Sequence, residues 1–230
     1  MKLTFYGHSC FLVNTGTHRL LFDPFIKGNE LAKAVDIQGI ECDYILISHA
    51  HEDHMADALE IVRNTKATII CAFELMGWFN KNGYEDVHPM NTGGRRHFDF
   101  GVVKCVVAHH SSVFPDGTYG ANPMGFVIST PHGDFYYSGD TALTMDMKLI
   151  PMWANLRFAV LPIGDNFTMG AEDAAVAANW VEAPKVVGVH YDTFGYIIID
   201  KEEAVSIFAE KDVELFLPEI GSTIELQSKD

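Results

Sequence analysis

Residues 47–57 read ISHAHEDHMAD and place His49, His51, Asp53 and His54 within six consecutive positions. The apolar segment DYILIS runs directly into them, so the cluster begins where a strand ends. In extended or turning backbone, side chains two apart point the same way. His49 and His51 can therefore face one point, while Asp53 and His54 face a second one nearby. Imidazole nitrogens and carboxylate oxygens are the donors a zinc-like ion takes, and a catalytic site keeps a coordination position open for water. The spacing suits two neighbouring ions better than one.

Two ions need more than four donors, and further candidates stand in the same setting. His109 and His110 follow the apolar run in CVVAHHSS, Asp140 follows FYYSG, and His190 follows VVGV. Asp23 follows RLLF, and His8 comes just after LTFY. Taken singly, such residues are usually hydrogen-bonded core or surface groups. Their shared place after strands is what singles them out.

The elements that must position these residues alternate along the chain. KLTFY, CFLVN and RLLFD read as short strands separated by turn residues. MADALEIVRN carries apolar residues at helical spacing, from Met55 through Leu59 to Val62, and ATIICA followed by ELMGWFNKNG repeats the strand-then-helix pattern. VVKCVVA, GFVIST and DFYYSGD return to strands, the last two joined by PHGD. Helices are then expected at LTMDMKLIPMWA, GAEDAAVAANWV and KEEAVSIFAEK, between strands at FAVLPI, KVVGVH, VELFLP and STIEL. Strand groups that open both halves and later give way to helices predict stacked sheets with helices outside, rather than a doubly wound parallel sheet. The 230 residues, with neither repeat nor low-complexity linker, are expected to form one domain over 1–230.

The order H49-A-H51-E-D53-H54, a histidine near 110, Asp140 and His190 resembles the metallo-β-lactamase superfamily. YGHSCFLV (6–13), FDPF (22–25), AHHSS (108–112), YYSGDT (136–141), PIGDNFTMG (162–170) and HYDTF (190–194) are similar to its small bacterial UPF0173 metal-dependent hydrolases, relatives of the ascorbate-phosphate lactonases. The resemblance implies an α/β fold, the four-layer αββα sandwich, with the metal site along one edge of its two sheets. It further implies that His49, His51 and His110 hold a first ion, that Asp53, His54 and His190 hold a second, and that Asp140 bridges both. AHHSS offers two histidines. The family pattern, with a histidine directly before the serines, favours His110, which leaves His109 to line the pocket or to bond behind a ligand.

Two cations about 3.5–4 Å apart can share a water, lower its pKa towards neutrality and present hydroxide to an electrophilic carbon or phosphorus. The second ion would offset charge developing on the substrate oxygen. Asp53 is then the candidate catalytic group, able to take a proton from the water or pass one to the leaving group. A serine nucleophile is not needed, and Ser111 and Ser112 lack the G-x-S-x-G turn that would expose one. Asp23 reads equally as a carboxylate orienting a histidine and as a turn cap before Pro24. By analogy with the family, His8 is a pocket residue near a substrate oxygen. GDNFTMG is expected to form another pocket wall, although Asp165 and Thr168 read as readily as caps of the following helix. NTGGRR, at 91–96, reads as a solvated hairpin.

Thirty-one acidic residues against sixteen basic ones give a formal charge of -15, a field that repels polyanions and makes nucleic acid a poor partner. The expected partner is a small-molecule ester, lactone or phosphodiester. Cys10, Cys42, Cys71 and Cys105 stand far apart, as reduced core thiols of a cytoplasmic protein would. No apolar run approaches the roughly 20 residues of a membrane span, and the first residues lack a signal-peptide core. Association into a homo-oligomer stays open, and FGYIIID (194–200) reads either as an interface or as a buried turn. Zinc is the expected ion, with manganese, iron or nickel as alternatives. The competing functions are a di-iron redox protein of the same fold, a nuclease, and a metal-binding module without catalysis.

Overall fold

The computed structural model describes residues 1–226. The first half of the chain supplies β1 (Lys2–Gly7), β2 (Cys10–Asn14), β3 (Arg19–Phe22), β4 (Tyr44–Leu46), α1 (Glu52–Met55), α2 (Ala58–Thr65), β5 (Thr68–Ala72), α3 (Phe73–Lys81) and β6 (Val87–Met90). The rest supplies β7 (Arg95–Phe98), β8 (Gly101–Val107), β9 (Met124–Thr130), β10 (Gly133–Tyr137), β11 (Leu156–Pro162), α4 (Ala171–Trp180), β12 (Lys185–Val189), α5 (Lys201–Ala209), β13 (Glu214–Phe216) and β14 (Thr223–Glu225). The strands form two seven-stranded sheets, ordered β14-β1-β2-β3-β4-β5-β6 and β13-β12-β11-β10-β9-β8-β7. Both sheets are mixed. β1, β2 and β3 pair antiparallel before β3 to β6 run parallel, and β7 to β10 pair antiparallel before β10 to β13 run parallel.

This register explains where the site lies. β1 and β3 each run antiparallel to β2, and β4 is parallel to β3, so all three point the same way. The same counting through β9 and β11 aligns β8, β10 and β12. Each of these six strands ends just before one of the candidate residues, so the chemistry collects at the carboxyl ends of strands from both sheets.

The period-2 alternation of β-strands divides the core. Along β10, Phe135 and Tyr137 enter the cluster between the sheets, while Tyr136 joins the one beneath the helices of the second half. Aromatic rings lock the sheets face to face. Phe11 stacks on Phe22 at 4.6 Å, Phe135 stacks on Phe158 at 5.1 Å, and Phe22 meets Phe135 edge-on at 5.9 Å. On the outer face of the second sheet, Ala174, Ala175, Ala177 and Ala178 let α4 approach closely, and Phe208 of α5 fills the space beside it. α2 and α3 bury Ile61, Val62, Leu75 and Phe79 against the first sheet, which completes the αββα layering.

Several expectations are corrected. The helix expected from Met55 is two helices, because the Asp57 carboxylate accepts the Ile26 and Lys27 amides at 2.6 and 2.9 Å and turns the chain between α1 and α2. The segment Met145–Met152 is 3-10 rather than α-helical and contains Pro151, which cannot donate an i→i−4 bond. NTGGRR is not a hairpin turn. It crosses from β6 to β7, the end strands of their sheets, and is pinned by Gly93 N to Cys105 O and Cys105 N to Gly94 O, both at 2.9 Å.

Candidate metal centre

Three candidate residues sit in the left-handed region directly at strand ends: His8 (φ 53°), Asp23 (φ 39°) and His190 (φ 56°). Such backbone is costly for an L side chain and persists where the surroundings fix it. Here it turns each side chain off its strand towards the gap between the sheets. Asp140 is placed by its neighbour Gly139 (φ 62°), where a Cβ would lie 2.9 Å from both Met124 O and Ser48 Cβ. Only glycine fits there.

The side chains form two donor groups, each with its ligand atoms within 4.8 Å of one another. One holds His49, His51 and His110, and the other holds Asp53, His54, His190 and His8. Asp140 stands between them. Its Oδ2 is 2.9 Å from His190 Nε2, 3.2 Å from His54 Nε2 and 3.7 Å from His110 Nε2.

Asp23 organises the histidines from behind. Its carboxylate accepts Ser48 N (2.8 Å), Ser48 Oγ (2.5 Å), Tyr137 OH (2.6 Å) and His54 Nδ1 (2.7 Å). Because Ser48 Oγ gives its hydrogen to Asp23, it accepts from His49 Nδ1 at 2.9 Å. Each ring thereby points Nδ1–H at this support and turns Nε2 to the site. Asp23 is close enough to His49 and His54 to form a third donor group, but its four accepted bonds occupy it as their support.

His8 supports Asp53 in the same manner. Burial pushes its pKa down to about 4, against the opposing pull of its bond to Asp53. Burial alone would raise the Asp53 carboxyl, but His54 and His8 outweigh it and hold the acid below the usual carboxylate range. A neutral imidazole 3.0 Å from a carboxylate must donate, so His8 Nε2–H bonds Asp53 Oδ2 and Nδ1 accepts from Thr193 Oγ1 at 3.0 Å. His8 is buried, with its ring nitrogens engaged by Asp53 and Thr193, so it offers no open contact surface.

The donor set fits divalent cations. Burial keeps His49, His51 and His110 below their ordinary pKa and therefore neutral, as metal ligands must be. Burial opposes a charge on His54, yet Asp140, Asp53 and Asp23 together more than offset it and raise its pKa well above the ordinary value. A site that favours positive charge at this point favours a cation. Asp140 Oδ1 is buried without a hydrogen-bond partner, as a donor awaiting an ion would be.

A family model described as "Beta-lactamase superfamily domain" matches residues 18–191. The chain is 55% identical over 227 residues to a UPF0173 metal-dependent hydrolase of Christiangramia forsetii, covering 98% of this chain and 100% of the relative. It is 43% identical to the UPF0173 metal-dependent hydrolase YtkL of Bacillus subtilis, covering 88% of this chain and 90% of that one. Among solved structures, it resembles the metallo hydrolase Igni18 of Ignicoccus hospitalis with a TM-score of 0.87 at 31% identity, covering 97% of each chain. The chain belongs to the UPF0173 metal-dependent hydrolases of the metallo-β-lactamase superfamily.

The structure of this UPF0173 hydrolase separates the two adjacent histidines. His110 joins His49 and His51, whereas the His109 side chain is exposed and its backbone amide bonds Thr141 Oγ1 at 2.9 Å. Ser112 Oγ accepts Ala50 N and donates to Gly120 O, which ties the histidine loop to the 110–120 segment. Ser111 Oγ lies 3.4 Å from His51 Nε2. Asp165 and Thr168 do not cap α4, whose N-cap is Gly170 with no side-chain bond. The 164–170 loop instead bonds Met169 N to Thr141 O, next to Asp140. Ser48, Tyr137 and Thr193 were missed as site residues. All three lie inside quoted stretches, ISHAHEDHMAD, YYSGDT and HYDTF, and that placement is the available signal.

The four cysteines are free and buried. Among the described residues, no helix is long and apolar enough to cross a membrane.

Proposed function

We propose that this metal-dependent hydrolase works with two divalent ions, zinc being the expected pair. His49, His51 and His110 would hold one and Asp53, His54 and His190 the other, with Asp140 within reach of both groups. The observation that carries this reading is the reach of Asp140 Oδ2 to histidines of both groups, 3.7 Å to His110 on one side and 2.9 Å to His190 on the other. When bound, such an ion pair supplies a water acidified towards neutral pH and a Lewis acid for the substrate oxygen.

The protein's own part is proton handling and placement. Asp53 keeps 25% of its side-chain surface in solvent against 3% for Asp140, so Asp53 is the carboxylate that meets substrate. His8 holds its Oδ2, which leaves Oδ1 to take a proton from the attacking water and return it to the leaving group. As a carboxylate it is ionised at neutral pH and so open to a proton. Ser112 cannot serve as a nucleophile, because its hydroxyl is committed between Ala50 and Gly120. The substrate is a small ester, lactone or phosphodiester, and nucleic acid is not expected at a chain of charge -15.

The test is metal content per chain by elemental analysis, on protein prepared without chelator or histidine tag, alongside His110→Ala and His109→Ala. About two ions per chain, falling in His110→Ala and unchanged in His109→Ala, is the expected result. One ion or none after reconstitution would remove the paired-ion mechanism.

A further inference from the structure

Two loops next to the donor groups hold aromatic side chains outward. In the loop after His190, Asp192 N bonds Ile197 O at 2.7 Å and Ile197 N bonds Phe194 O at 3.0 Å. This tight turn buries Ile197 completely while leaving Phe194 36% and Tyr196 78% exposed. In the 164–170 loop, Asp165 (φ 59°) and Asn166 (φ 54°) take consecutive left-handed conformations, after which Phe167 stands 50% exposed. The loops are packed together at Gly164, where a Cβ would lie 2.0 Å from His190 O. Phe167 and Tyr196 meet edge to face across the join, with centroids 6.0 Å apart and planes at 73°.

Phe194 brings the aromatic surface up to the residue that supports Asp53. The Phe194 ring is 5.3 Å from the ring of His8, which holds Asp53, and the 164–170 loop is anchored to Thr141 beside Asp140. The cleft onto which Tyr196 opens is edged by Asp165, Glu172, Asp173, Asp200 and Glu203 and by neither lysine nor arginine. Lys201 is drawn to Asp192, 3.0 Å away. The two loops thus present an apolar wall, and the acidic cleft beside Tyr196 disfavours an anion there.

The geometry points to Phe167, Phe194 and Tyr196 as the substrate-selecting wall of this hydrolase. Its substrate carries an uncharged apolar group, aryl or branched alkyl, beside the bond that is cleaved. This rests on the reading that the ions at the donor groups are open to substrate. It narrows that reading to substrates whose body beside the cleaved bond is uncharged, because a carboxylate on that body would meet the acidic cleft next to Tyr196.

The test uses hydroxamates, whose head group binds metal whatever the substrate is. Acetohydroxamate, phenylacetohydroxamate and 4-carboxyphenylacetohydroxamate are titrated calorimetrically into the full chain carrying its own ions. Phenylacetohydroxamate is expected to bind about tenfold tighter than acetohydroxamate, the scale of a partly buried ring, and the carboxylated ligand to lose most of that gain. Phe167→Ala and Tyr196→Ala, both at exposed positions, are expected to shrink the phenyl advantage by about threefold or more. Equal binding of the methyl and phenyl ligands, or an advantage untouched in both variants, would overturn the wall. Binding of neither hydroxamate to chain with measured ions would instead remove the open-site reading, and the wall with it.

Discussion

Asp23 Oδ2 lies 2.7 Å from His54 Nδ1, and both side chains are fully buried. That one contact settles which nitrogen of His54 faces the site, and the Ser48 hydroxyl extends the same control to His49. Asp23→Asn keeps the size of the side chain but replaces one acceptor oxygen with an NH₂ donor. Ion affinity should fall about 10- to 100-fold, as read by competition with a chelating dye. Wild-type affinity in Asp23→Asn would mean that the tautomers are set by other contacts.

The proposed mechanism gives Asp53 a part in both ion holding and proton transfer, and the two can be separated. Asp53→Ala, reconstituted to its maximum metal content, should lower kcat by about 10²- to 10⁴-fold on an ester or lactone while shifting KM far less. Unchanged turnover at full metal loading would assign the proton to another group.

Gly139→Ala tests the turn that delivers Asp140. The added methyl meets Met124 O and Ser48 Cβ at 2.9 Å and must also adopt a φ of 62°. Left-handed backbone and overpacking together should cost at least about 2 kcal/mol in denaturant unfolding. Bound metal should fall with it, because Ser48 moves as well. A variant with unchanged midpoint and metal content would show that the turn has slack.

The clustered side chains were legible in the sequence where they are contiguous or follow an apolar run. His49, His51, Asp53 and His54 share one turn, and His110, Asp140 and His190 each close a strand. The structure gathers all seven. The supporting layer was less visible because it forms across distance. Tyr137 meets Asp23 from 114 residues away, and Thr193 meets His8 from 185. The layered architecture followed from strand and helix order, yet β6 and β7 did not. They are the outermost strands of their sheets, and one contains Pro89 while the other begins Arg95-Arg96, so neither shows the alternation of a half-buried strand. The segment Met145–Met152 has helical-looking composition, but it is a 3-10 helix whose Pro151 cannot donate an i→i−4 bond.

The two donor groups should differ in the protons they release. In the metal-free chain, burial keeps His49, His51 and His110 below their ordinary pKa, so at pH 7 a cation meets them already neutral. His54 is the opposite case. Burial opposes its charge, but Asp140, Asp53 and Asp23 raise its pKa well above the ordinary value, so at pH 7 it carries a proton that a cation must displace. The sign follows for stability. The raised His54 pKa stabilises the metal-free fold below its unfolded value and loses that contribution as pH rises through its folded value. Ion affinity at Asp53, His54 and His190 should therefore climb with pH, by about tenfold per unit while one proton is exchanged, and affinity at the other group should be nearly flat around neutrality. Calorimetric titration at pH 7 in two buffers of different ionisation enthalpy measures this directly. About one proton should be released in His110→Ala, which retains the Asp53 group, and close to none in His54→Ala, which retains the other. Equal release from the two variants would mean that the acidic residues around His54 do not hold its proton in the empty site.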